Sequence, residues 1–143
     1  MSRANDAVFH KGAGEPCPEW FEMRFAENGW TGAWRNGVFD YHHFHVTTHE
    51  VLGCYAGSAR IQLGGGDGPV HDLAAGDVLV IPAGVAHRNV ESTDDFAVVG
   101  AYPGGLTPDM QEGEGDPSVA LEWPERDPVL GAGRGFSAGA KGG

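Results

Sequence analysis

Between Gly37 and Tyr102 the sequence is cut at close intervals by turn signals, and this punctuation constrains the fold more than any other feature. The strand-like runs are Val38–Val46, Glu50–Tyr55, Ala59–Leu63, Val78–Ile81 and Phe96–Tyr102. The breaks between them are Ala56-Gly57, the Gly64–Gly68 run, Ala75-Gly76-Asp77, Pro82-Ala83-Gly84 and Ser92–Asp95. Ala59, Ile61 and Leu63 share one strand face, and Arg60 and Gln62 the other. Short strands at regular spacing are the signature of a sandwich or barrel. Glycine, 24 of 143 residues, against an ordinary share of about 7%, argues against long helices, because each interior Gly costs about 1 kcal/mol relative to Ala. The expectation is an all-β single domain.

That domain spans 19–130. Residues 1–18 are polar, bear Gly and Pro, and read as a loosely held arm. In 19–36, Phe21, Met23 and Phe25 alternate with Glu22, Arg24 and Ala26, which reads as a half-buried strand, and Asn28-Gly29 marks a turn. After Pro103 the pattern dissolves. Residues 111–118 are acidic loop, while Val119, Leu121, Trp123, Val129 and Leu130 can anchor a strap over the domain. Residues 131–143 form a Gly-rich tail that reads as flexible.

Several functional classes are excluded. The net charge is −11 and the nine Lys and Arg are scattered, so no nucleic-acid partner is expected, since phosphate binding needs clustered cations. Cys17 and Cys54 form neither a disulfide framework nor a metal knuckle and read as free thiols in a reducing compartment. The N-terminus lacks the apolar core of a secretory signal. The longest apolar run, Val78 to Ala86, contains Pro82 and Gly84 and falls far short of the ~20 residues of a membrane helix. A cytoplasmic protein without membrane attachment is expected.

The chemistry gathers at histidines. His43 and His45 are two apart and project from one strand face, which makes half a metal site. Glu50 is near along the chain as a carboxylate arm, and His87, after the separate run Val78–Ile81, can close the site from a neighbouring strand. Imidazoles beside core need a partner, and a cation is one. Regular alternation from His45 turns His49 inward and Glu50 outward, so His49 can be the third ligand, whereas a bulge or bend after His45 turns Glu50 in instead. His42 has the wrong parity and reads as exterior.

These residues carry a resemblance. Gly37, His43, His45, Glu50 and Gly57 fit the first cupin motif, G-x5-H-x-H-x4-E-x6-G, at every fixed position. Gly76, Pro82, Gly84 and His87 fit the second, G-x5-P-x-G-x2-H; Glu91 stands where an Asn often closes it, with Asn89 two residues early. The intervening segment, 58–75, suits a compact single cupin. Asn28-Gly29-Trp30, Trp34-Arg35-Asn36-Gly37, His49-Glu50-Val51-Leu52-Gly53, Val98 to Pro103 and Asp127-Pro128-Val129 look like the YjlB-like small cupins over roughly residues 20–130. The resemblance implies a small antiparallel β-barrel or jelly roll holding one divalent metal ion through His43, His45, Glu50 and His87. Motif spacing selects Glu50 over His49.

Such a site leaves a divalent ion at net +1, with two positions of an octahedron open. It suits Fe, Mn, Ni, Co or Zn. The expectation is a small metalloenzyme of oxygenase, isomerase or lyase type acting on a small polar molecule; the alternative is a non-catalytic metal-dependent binding or sensing module. His49 is the candidate general base. Phe39 and Tyr41 read equally as cavity wall or core, Tyr55 and Tyr102 as core with an inward hydroxyl as the alternative, Trp30 and Trp34 as packing or interface, and Arg88 as a solvated rim with a substrate carboxylate contact as the alternative. Gly64–Gly68 reads as a hairpin turn rather than a phosphate loop. A homodimer is expected, with 19–36 covering a partner's sheet edge.

Overall fold

The computed structural model describes residues 6–132. The ends of both expected arms, 1–5 and 133–143, lie outside the described residues. Strands β2 (Trp30–Asn36), β3 (His43–Phe44), β4 (Glu50–Ala56), β5 (Ser58–Leu63), β6 (Val70–Ala74), β7 (Val78–Ile81), β8 (His87–Ser92) and β9 (Ala97–Pro103) form two antiparallel sheets. Their orders are 2-9-4-7 and 3-8-5-6, the strand order of a jelly roll. The sheets remain open, so of the two expected forms the jelly roll is the one adopted.

Flanking pieces extend this framework. Val8–His10 (β1) pairs with β7, so the expected N-terminal arm contains a sheet strand. The Lys11 ammonium and Gly12 N–H donate to the Asp77 carboxylate at 2.9 and 2.8 Å and tie down the residues after β1. Gln111–Glu112 (β10) pairs with β3, and Arg126–Asp127 (β11) with Gly131–Ala132 (β12).

The first sheet is covered on both faces. Leu52, Cys54, Leu79, Ile81 and Val98 pack against Ile61, Leu63 and Leu73 of the second sheet. Val51, Val78, Val80, Val99 and Ala101 point the other way, against Phe21, Phe25, Trp30 and Val129. Burial on both faces explains why Val78–Ile81 is uniformly apolar. In the second sheet Ala59, Ile61 and Leu63 face inward as alternation predicts, while Arg60 faces solvent.

The expectation of a strand through Phe21–Phe25 is corrected. Pro18–Glu27 is an α-helix (α1), with Pro18 opening it, where its fixed φ suits a first turn. Phe21 and Phe25 are fully buried and Met23 is 64% exposed. A spacing of four puts the two phenylalanines on one helix face, and sheet packing decides for the helix. A Cβ on Gly53 would overlap the Phe21 ring, so the bare strand at Gly53 is the seat of the helix. The Asn28 and Gly29 N–H groups bond the Phe25 and Ala26 carbonyls, ending the helix at the expected turn. The segment expected to cover a partner's edge is therefore spent on the chain's own sheet.

Phe21→Ala is expected to cost about 3–5 kcal/mol of stability, as for other buried aromatics, and Met23→Ala no more than about 0.5 kcal/mol. Chemical denaturation of the two variants checks this, since a strand with both side chains on one face would make the two costs similar.

Candidate functional site

His43 and His87 lie opposite each other in the β3–β8 register, and His45 stands two residues beyond His43. The chain then bends. The Asp109 carboxylate accepts the Val46 and Thr47 N–H groups at 2.9 and 3.0 Å and the Thr47 hydroxyl at 2.8 Å. This bend reverses the parity of the residues after it, so Glu50 enters β4 pointing between the sheets. Of the two candidates left open by the sequence, Glu50 is the one that joins the histidines.

The three imidazoles form one buried cluster, each offering a ligand atom within 4.8 Å of the others. Glu50 Oε1 lies 3.5 Å from His45 Nε2 and 3.3 Å from His87 Nε2. Each ring is oriented from behind. His43 Nδ1–H donates to the Tyr41 carbonyl, His45 Nδ1–H to the Asp109 carbonyl and His87 Nδ1–H to the Val85 carbonyl. A carbonyl only accepts, so each Nδ1 carries a proton, and a ring that is neutral keeps its lone pair on Nε2. Three lone pairs and a carboxylate oxygen therefore converge. They repel one another unless a positive charge stands among them.

The electrostatics reflect this crowding. Burial, with the neighbouring His87, pulls His43 down to about 4, so its ring is neutral at pH 7. Burial also disfavours charge on His45, but Glu50 and the Asp109 carbonyl outweigh it and raise this ring above its ordinary value. Burial opposes the Glu50 charge as well; the hydrogen bonds that His45 and His87 offer when protonated outweigh it and hold the carboxyl well below the usual range.

A second line of residues fixes the carboxylate: Tyr102, read from the sequence as core with an inward hydroxyl as the alternative, and Trp34, read as packing or interface. The Tyr102 hydroxyl donates to Glu50 Oε2 at 3.1 Å, and the Trp34 indole N–H donates to that hydroxyl at 2.8 Å. An indole only donates, so the phenol's single proton is directed to Glu50. Burial and the Glu50 charge both raise the Tyr102 phenol, which keeps its proton. A bulge between Thr31 and Trp34 in β2 places Trp30 on the helix side and Trp34 on the cavity side. Trp34 lies across Gly100, where a Cβ would overlap the indole. The sequence signal for this pair is a bare Gly opposite a Trp, visible only once the bulged register is known.

The cluster forms one wall of a cavity of about 440 Å³, also lined by Trp34, Arg35, Val38, Phe39, Leu52, Tyr102, Asp109 and Met110. Phe39 thus takes the cavity role left open for it. Tyr41 stacks on Phe39 at 5.1 Å. Asp109, in the segment without pattern, carries no sequence signal for its role.

His49 is corrected as the candidate base. It is buried outside the cavity lining. The Ala83 N–H donates to its Nδ1 at 2.9 Å, its Nε2–H donates to the Glu122 carbonyl at 3.0 Å, and its ring stacks on Trp123 at 4.3 Å. Both nitrogens are occupied, and burial lowers its proton affinity. His49 clasps the expected strap, residues 119–130, to the fold.

Fold and cluster together define a small jelly roll with a cavity walled on one side by three histidines and a carboxylate. The chain is similar to the uncharacterized protein YjlB of Bacillus subtilis (strain 168), 46% identical over 93 residues, covering 65% of this chain. The chain spans 56% of the length of that curated relative. No protein-family model matches. Solved structures with partial similarity include the 11S globulin procruciferin from Brassica napus, 16% identical, covering 56% of this chain and 21% of that one, with a TM-score of 0.45. Another is the QdtA 3,4-ketoisomerase from Thermoanaerobacterium thermosaccharolyticum, 22% identical, covering 52% and 59% of the two chains, with a TM-score of 0.45.

Tyr102→Phe and Gly100→Ala each disturb the carboxylate without removing a cluster residue. Each is expected to weaken affinity for a divalent cation about 10- to 100-fold, the usual effect of losing such a support. Competition with a metallochromic chelator checks this; unchanged affinity in both variants would refute the support role.

Proposed function

We propose that this protein binds one divalent metal ion through His43, His45, His87 and Glu50 and acts through it on a small molecule in the adjoining cavity. One observation carries the reading: three Nε2 lone pairs and a carboxylate oxygen face one another, each ring held in that tautomer by a backbone carbonyl. The donor set, three neutral imidazoles and one carboxylate, suits Fe, Mn, Ni, Co or Zn. When bound, the ion supplies Lewis acidity and, where it is redox-active, a site for electron transfer. The protein's own groups do the rest. Trp34 and Tyr102 fix Glu50, and Phe39 lines the cavity beside the cluster.

A metalloenzyme of oxygenase, isomerase or lyase type is the reading this arrangement favours. The second reading, a metal-dependent binding or sensing module, has its own support: His49 and the Asp109 carboxylate are both committed to structural hydrogen bonds. Neither is free to act as a general base, so any proton transfer falls to the cluster or to the ligand itself. Homodimerisation and a reducing, cytoplasmic setting, which suits the free thiols Cys17 and Cys54, belong to the same proposal. A monomer mass in solution scattering would count against the dimer.

Elemental analysis of the purified, metal-reconstituted protein is expected to find one equivalent of a divalent ion. His43→Ala and His87→Ala are each expected to drop well below that. Uptake weakens as pH falls, because protons compete for the same lone pairs. His45, raised by Glu50 and Asp109, competes before His43, which burial holds near 4. Full-affinity binding in both alanine variants would sink the assignment.

A further inference from the structure

We infer that the ligand of this cavity carries a flat, uncharged, apolar body behind the donor atoms that reach the cluster; the inference rests on the reading of the cluster as a metal site. The wall beside the cluster includes apolar and aromatic side chains. Phe39 is 50% exposed and Met110 48%, and both line the cavity. Phe39 stands edge-on to His43 at 5.3 Å and is backed by the nearly parallel ring of Tyr41. An aromatic ring left half in water beside the cluster gains from a flat partner that covers it.

The charged groups of the wall, and the Trp34 and Tyr102 protons, already have partners. Arg35, the cation among the described lining residues, donates to both Glu22 oxygens at 2.7 and 2.9 Å and to Glu19 at 3.3 Å. The Trp34 N–H goes to Tyr102 and the Tyr102 proton to Glu50. The Asp109 carboxylate holds the Val46–Thr47 bend and also accepts from Gln111. The Asn36 side-chain oxygen accepts the Gly37 N–H. A phosphate or carboxylate on the ligand's body would meet Asp109, Glu19 and Glu22 and a cation already neutralised. The one place for negative charge is the donor head, at the ion itself.

Three ligands with one head and different bodies test this. The full chain is loaded with Co(II), whose visible absorption reports a ligand at the ion, and titrated with acetohydroxamate, benzohydroxamate and 4-carboxybenzohydroxamate. Benzohydroxamate is expected to bind at least about tenfold more tightly than acetohydroxamate, the factor that about 1.4 kcal/mol of added burial produces. The 4-carboxy compound is expected to lose that advantage. Phe39→Ala should bring the ratio of the benzohydroxamate and acetohydroxamate affinities down to about one, and Phe39→Tyr, which keeps the ring, should retain the phenyl preference. Cobalt uptake with equal affinity for the first two ligands overturns the inference and leaves the metal reading standing, as does a preference unaltered in Phe39→Ala. Failure to take up cobalt overturns the metal reading and this inference with it.

Discussion

The structure around the cavity is organised by one electrostatic conflict. Three imidazoles present lone pairs and Glu50 presents a carboxylate in the same buried space. Such groups stay together only because their geometry is imposed from outside. Backbone carbonyls at Tyr41, Asp109 and Val85 hold the rings, and Tyr102 holds the acid. A fold that spends five oriented hydrogen bonds, counting that from Trp34 to Tyr102, on keeping mutually repelling groups in place is preorganised for a positive charge. Preorganisation of this kind is the usual way a site binds a cation without rearranging.

The jelly roll makes that arrangement possible because it brings distant segments to one end of the inter-sheet space. β3 and β8 supply histidines from one sheet; β4, β9 and β2 supply the carboxylate and its supports from the other. The first sheet is buried on both faces, by the second sheet and by α1, so its strands are rigid. Helix α1 therefore stiffens the sheet that carries Glu50, Tyr102 and Trp34 without touching the cavity.

How much of this is legible in the sequence depends on how local each signal is. Strands with one exposed face, such as Ser58–Leu63, announce themselves by alternation, and Val78–Ile81 by a pure apolar run between turns. The His43, His45, Glu50 and His87 set is readable because its spacing matches two motifs. The helix at Pro18–Glu27 mimics a strand because Phe21, Met23 and Phe25 satisfy period two, while the decisive fact, that Phe21 and Phe25 meet Gly53, lies across the fold. Strands Val70–Ala74 and His87–Ser92 give no clear pattern because polar residues break it and the sheet supplies the pairing. His49 looks like a cavity residue only when parity is carried past the bend at Val46–Thr47, which an acid more than sixty residues away maintains.

Two departures from regular strand geometry, more than the strands themselves, place the chemistry. Without the bend held by Asp109, His49 would face the cavity and Glu50 the helix layer, leaving a buried acid among valines with no partner. Without the bulge in β2, Trp34 would share Trp30's face and Tyr102 would lose the donor that directs its proton. Each irregularity is secured by contacts specific to it: the Asp109 carboxylate at the first, and the bare backbone of Gly100 at the second. The same residues also join the cavity wall to the cluster, since Asp109 and Trp34 line the space that a ligand would fill. A change in either therefore reaches the shape of the cavity and the aim of the ligating groups together, which couples recognition of the ligand to the state of the cluster.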